Sequence, residues 1–164
     1  MKWSLKPSRT VSLPVALTLV ISIVLVPIVA ADGSYHSEHI DLTPVGDAPL
    51  RSGFVQNIHA NGPQVYAIER YVLNGASPNT IYQVILVFHP FSPDCSPSQE
   101  WPAMFIPTAT IQTNASGNGT AQHVFVDMDP RARGAAHGVM WMVSIDGGDG
   151  TVAYQTACTD AWLD

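Results

Sequence analysis

No stretch of this chain beyond its N-terminal thirty residues repeats apolar residues with a helical period. Short segments rich in Val, Ile, Tyr, Phe and Thr are cut instead by clusters of Gly, Pro, Asn, Asp and Ser, in "NGP" at 61–63, "NGASPNT" at 74–80, "NASGNG" at 114–119 and "DGGDG" at 146–150. Segments this short suit strands, whose side chains alternate between two faces, and the turn clusters suit the connections between them. The cadence argues for an all-β fold, a sandwich or barrel of about eight strands.

The expected strands cover 39–43, 53–60, 64–73, 80–89, 103–113, 120–127, 139–145 and 151–158. Segment 64–73 puts Tyr66, Ile68 and Val72 on one face. Segment 80–89 is apolar on both faces, with Tyr82, Val84, Leu86 and Phe88 opposite Ile81, Ile85 and Val87, so it should be central. In 103–113, Ala109 and Ile111 alternate with Thr108, Thr110 and Gln112, one buried face and one wet face. Val139, Trp141, Val143 and Ile145 share a core face, as do Val152, Tyr154 and Cys158. Gly-rich turns should join antiparallel hairpins. Residues 46–52 and 134–139 read as loops, the second with one turn at most.

The N-terminus has a different character. Lys2, Lys6 and Arg9 precede an apolar run over 11–29, and Ala30 and Ala31 follow it. This is the layout of a secretory signal peptide cut after Ala30 or Ala31. The run is also long enough to cross a bilayer as an uncleaved anchor, although Pro27 breaks a helix just before the small residues and favours cleavage. Residues 1–31 are therefore expected to be a leader or anchor. Residues 32–164 are expected to form one extracytoplasmic domain, secreted or held at the cell surface.

All 13 acidic residues lie in that domain, against Arg51, Arg70, Arg131 and Arg133 alone, a net charge of −9 with histidines neutral. Such a surface excludes nucleic acid as a partner and disfavours anionic membranes, leaving an extracellular protein or glycan. Membrane contact is expected only through an uncleaved N-terminal segment. Two cysteines, Cys95 and Cys158, in an exported domain read as one disulfide, which their strand pattern places against the core.

The run "ASPNTIY", Ala76 to Tyr82, resembles the corner of fibronectin type III and related immunoglobulin-like domains, where a small apolar residue, a Pro and a Thr precede a strand-opening Tyr. The resemblance implies a tyrosine corner: the Tyr82 ring lies in the core and its hydroxyl bonds back to the chain within 74–79. It implies an immunoglobulin/fibronectin-III-like antiparallel sandwich. Four expected strands follow Phe88, more than follow the corner in type III domains, so strand order stays open. Over a longer stretch, the "PNT-x-Y" corner, the "TNASGNG" turn and the "VAYQTAC" last strand resemble small secreted β-sandwich proteins of unknown function from bacteria and archaea. That likeness implies no activity.

Candidate chemistry is sparse. His36, His39, His59, His89, His123 and His137 are the groups that could gather copper or zinc, yet no pair has the i, i+2 spacing that brings two imidazoles together on a strand. Asp146 and Asp149 could offer oxygens to calcium, but Asp and Gly are also what a hairpin turn uses. Asp127 and Asp129 form an acidic pair that Pro130 explains as a strand end. No nucleophile elbow, phosphate loop or zinc-protease motif occurs, so neither catalysis nor a cofactor is expected. Asn114 and Asn118 head two glycosylation sequons. The loop "PFSPDCSPSQEWP", 90–102, carries Phe91 and Trp101, side chains suited to a binding surface or a sugar platform. Residues 129–138 form a second candidate loop, and Trp162 falls just past the last expected strand. The expectation is a non-catalytic exported module for binding, adhesion or envelope structure, with a histidine-based copper or zinc site and a carbohydrate-binding module as alternatives.

Overall fold

A computed structural model describes residues 36–59, 67–126, 134–147 and 150–163. The expected leader, Tyr66, Asp127, Asp129, Arg131, Arg133 and Asp149, and the side chains of His36 and Trp162, lie outside the described residues. Every helix or strand described is a strand: β1 (His36–Asp41), β2 (Thr43–Pro44), β3 (Ser52–His59), β4 (Ala67–Asn74), β5 (Ile81–His89), β6 (Met104–Gln112), β7 (Gly119–Phe125), β8 (Ala135–Ile145), β9 (Val152–Gln155) and β10 (Thr159–Leu163). One antiparallel sheet runs β1-β3-β4-β7. The other runs β2-β9-β8-β5-β6, with β10 also on β8.

Alternation builds a single core between the sheets. Val55, Tyr71 and Leu73 come from the first; Tyr82, Val84, Leu86, Ile111, Trp141 and Val143 come from the second. Tyr71, Tyr82, Trp141 and Tyr154 are among the largest fully buried side chains. Burying an aromatic of this size stabilises by roughly 4–6 kcal/mol, an upper figure because unfolded chains are already partly compact.

Several expectations are corrected by pairing that only the tertiary structure supplies. The strand count among the described residues is ten rather than about eight. Residues 135–138, expected as loop, open β8 because β5 and β10 flank them. Trp162 lies within β10 rather than beyond the last strand. The turn 114–119 is no hairpin: β6 and β7 belong to different sheets, so it carries the chain between layers. On β4 the core takes Ala67, Glu69, Tyr71 and Leu73 rather than the face of Ile68 and Val72. The chain leaves β9 at Thr156, whose amide and hydroxyl replace strand pairing to the Trp141 backbone at 3.0 Å each. Cys158 is thereby turned to the surface instead of the core.

Register separates two ends. Connections 75–80 and 113–118 and the C-terminal end of β8 gather at one, here the turn end. The C-terminal ends of β3, β5 and β7 and the N-terminal ends of β4, β6 and β8, with loop 90–103, gather at the other, the loop end, where His59, Ala67, Phe88, Phe125 and Val139 from both sheets line one cavity. At the turn end Tyr82 accepts the Ser77 N–H (3.2 Å), lies 3.1 Å from the Tyr154 hydroxyl, and Tyr154 donates to Pro49 O (2.8 Å). Gly117, at φ 73°, seats so closely that a Cβ would come within 2.0 Å of Ala76 O.

Candidate functional site

The loop end presents the most chemistry. After β5 the chain turns at Pro90, which is buried, and Phe91 adopts φ 55°. A left-handed backbone at an aromatic residue costs on the order of 1–2 kcal/mol. It is held by the buried His137, whose Nδ1 accepts the Phe91 N–H at 3.1 Å. The same imidazole lies between rings, 4.9 Å from Phe88 and 5.1 Å from Phe91. Asp94 organises the next turn: its carboxylate accepts from the Ser96 hydroxyl (2.6 Å), the Ser96 N–H (3.2 Å) and the Ser92 hydroxyl (3.1 Å). These bonds, the Ser96 hydroxyl foremost, hold the Asp94 carboxyl below its usual range.

Two further contacts pin the loop. Cys95 and Cys158 form a disulfide across 63 residues of sequence. Gly138 lets the loop press on β8, for a Cβ there would meet Ser92 O at 2.2 Å. Above this base Phe91 and Trp101 pack edge to face, centroids 5.2 Å apart. Each is 44% exposed, and Met104 (46%) and Phe105 (64%), on opposite faces of edge strand β6, are exposed apolar side chains at the same end. Aromatics held this far out on a pinned loop resemble binding anchors more than core.

Beneath lies a buried polar group that the alternation pattern missed. Glu69 is the register partner of Asn57 on β3 and of His123 on β7. Its Oε2 accepts the Trp141 indole N–H at 2.8 Å and is bonded to the Tyr71 hydroxyl. Tyr71 also reaches Thr108 Oγ1 (2.8 Å), and Thr108 donates to Val84 O (3.2 Å). Thr108 can do so because the β5–β6 register slips at Val84/Ile85, leaving Thr108 without a strand partner. Burial pushes the Glu69 carboxyl up to about 7, against the Tyr71 and Trp141 hydrogen bonds that lower it. Burial and the Glu69 charge likewise raise Tyr71. The Tyr71 hydroxyl has one proton for two neighbours. A protonated Glu69 resolves this: Glu69 donates to Tyr71, Tyr71 to Thr108 and Thr108 to Val84 O, each hydrogen used once.

The remaining candidates are scattered. His39 stacks on Phe54 (4.2 Å) and sits 3.3 Å from Asp41 in an exposed pair. His59 lies 2.9 Å from Asn57, His89 is half-buried at the end of β5, and His123 packs on Phe125. Among the described residues no three His, Cys, Asp or Glu side chains converge as a metal site would require. Asp146 is exposed in its turn. At the turn end, Asn114 is exposed, its Oδ1 accepting the Ser116 and Asn118 N–H groups, and Asn118 Oδ1 accepts the Gly75 N–H. Their side-chain oxygens shape the inter-sheet turn. The chain matches no family model, no curated protein and no solved structure.

Proposed function

We propose that this chain is an exported, non-catalytic recognition module, an immunoglobulin/fibronectin-III-like sandwich whose loop end binds an extracellular macromolecule. The observation that carries the reading is the Phe91–Trp101 pair, half-exposed on a loop fixed by the Cys95–Cys158 disulfide, the Gly138 seat and the His137 hydrogen bond. A fixed loop spends little conformational entropy on binding, and its aromatics supply most of the contact energy. Met104 and Phe105 add exposed apolar side chains at the same end of the molecule. Several exposed apolar side chains, rather than one aromatic platform, favour a polypeptide partner over a single sugar. The leader-like N-terminus and the charge of the domain support action outside the cytoplasm, free or tethered.

The test is binding of wild type and Trp101→Ala to a surface-displayed peptide library and to a glycan array. Peptide ligands lost in Trp101→Ala are expected. Glycan ligands lost in the same variant would reassign the partner to carbohydrate. Ligands retained in full by Trp101→Ala would remove the loop from the binding surface.

A further inference from the structure

Between the sheets at the loop end lies a cavity of about 30 Å³, lined in part by Asn57, His59, Glu69, Phe88, Phe125 and Trp141. It has room for one water-sized species. Two polar side chains on its wall are almost wholly buried: Asn57 and Glu69 are each 3% exposed. Asn57 Nδ2 is taken up by His59 Nε2 at 2.9 Å, while Asn57 Oδ1 meets no partner among the described residues. An orphaned buried acceptor costs about 1–3 kcal/mol, so its position calls for a donor from outside the protein.

The surroundings select the kind of donor. Facing Glu69 are Asn57 on β3, His123 on β7, Tyr71 on its own strand and Trp141 on β8. In register beyond Asn57 stands the exposed Glu38 on β1, and His59 follows Asn57 on its own face. No lysine or arginine is among them. The Trp141 indole N–H is engaged by Glu69, and one of the two Asn57 amide N–H groups by His59. The wall therefore offers acceptors, Asn57 Oδ1 and the Glu69 carboxyl, and the rings of Phe88, Phe125 and Trp141. A water bridging the two acceptors would receive nothing from these two engaged N–H groups. A protonated amine carries donors and no acceptor, its charge balances the carboxylate, and aromatic walls attract cations.

We propose that this chamber is a binding site for a protonated amine head group, either ammonium itself or the terminal –NH₃⁺ of a primary amine. Occupation holds Glu69 in its charged form and satisfies Asn57 Oδ1. The site is independent of Phe91 and Trp101, so its failure would leave the recognition reading intact.

The experiment is a carboxyl-carbon NMR titration of Glu69 in the intact exported protein. It is run in ammonium, methylammonium and tetramethylammonium chloride at equal ionic strength. Ammonium should lower the Glu69 midpoint by about 1 unit or more relative to tetramethylammonium, which is too large to enter. A matching effect of methylammonium identifies a primary-amine head as the ligand; an effect of ammonium alone restricts the site to the free ion. Equal midpoints in ammonium and tetramethylammonium would overturn the proposal, as expected if the Asn57 amide turned its N–H groups into the chamber. Asn57→Leu removes the acceptor and fills the space. It should abolish the ammonium effect while Glu69 still titrates, and an effect that survives in this variant would place the ion elsewhere and sink the proposal.

Discussion

Each end of the molecule contains a relay of hydroxyls, and the two differ in what they start from. At the turn end the relay begins on a backbone amide and ends on a backbone carbonyl: Ser77 N–H, Tyr82, Tyr154, Pro49 O. Every hydrogen has one destination, and no carboxyl or imidazole takes part. Toward the loop end the relay begins on a carboxyl: Glu69, Tyr71, Thr108, Val84 O. There the direction of the hydrogens depends on a proton that comes and goes near pH 7, and beside it lie a cavity and an orphaned amide oxygen. The turn end is scaffold with its polar groups matched. The loop end leaves polar and apolar groups unmatched, as a surface built to receive something else would.

The largest expected effect comes from cutting the staple. Replacing Cys95 and Cys158 with Ser releases a loop closed across 63 residues, a loss of roughly 4 kcal/mol in the chain-entropy treatment. Hydrogen exchange should then quicken around 90–103 and 135–138 while amides of the turn end keep their relative protection. Uniform loss of protection would erase the distinction between the ends.

Next in size is the pH dependence of stability. The Glu69 carboxyl is pushed up to about 7 in the folded chain from its ordinary value of 4.5. The folded state therefore binds more protons between those values. Its stabilising contribution is complete below about 4.5 and is lost as pH rises through 7, by roughly 3 kcal/mol in all. Chemical denaturation of wild type and Glu69→Gln across that window checks this: the wild-type slope should be absent in the variant. Identical slopes would assign the proton to another group.

Tyr82→Phe tests the opposite relay. It strands the Ser77 N–H and removes a partner from Tyr154, a loss of about 1–2 kcal/mol. Trp101→Ala should barely move stability, by less than about 0.5 kcal/mol, because the ring is nearly half exposed. A large loss measured by thermal unfolding would reclassify Trp101 as a cap on the core.

The sequence discloses the two ends unequally, for a physical reason. Turn chemistry is local, so "ASPNTIY" marks the neighbourhood of Tyr82, and Gly and Asn in "NASGNG" mark a reversal. Which layers that reversal joins is set by long-range pairing, so a local turn signal cannot tell a hairpin from a crossing between sheets. Strand β4 carries apolar residues on both faces, so alternation alone could not choose between Ile68 with Val72 and Tyr71 with Leu73. Once Tyr71 and Leu73 face inward, Glu69 must follow them. Its partners Trp141 and Thr108 lie 72 and 39 positions away, the first bonded directly and the second through Tyr71. Segment 135–138, Ala-Ala-His-Gly, has little strand propensity and becomes β8 only because β5 and β10 hold it. The exposed loop aromatics were legible as surface candidates. The buried carboxyl was not, since a Glu in a strand normally faces water.

The distinction between a receiving end and a scaffold end is tested most directly by photocrosslinking in the exporting cell. A photoreactive residue is placed at Trp101 in one variant and at Ser116, in the inter-sheet turn, in another. If the loop end is the recognition surface, position 101 yields a discrete adduct that disappears on further Phe91→Ala substitution, and position 116 yields none. An adduct from 116 with none from 101 would contradict the assignment outright.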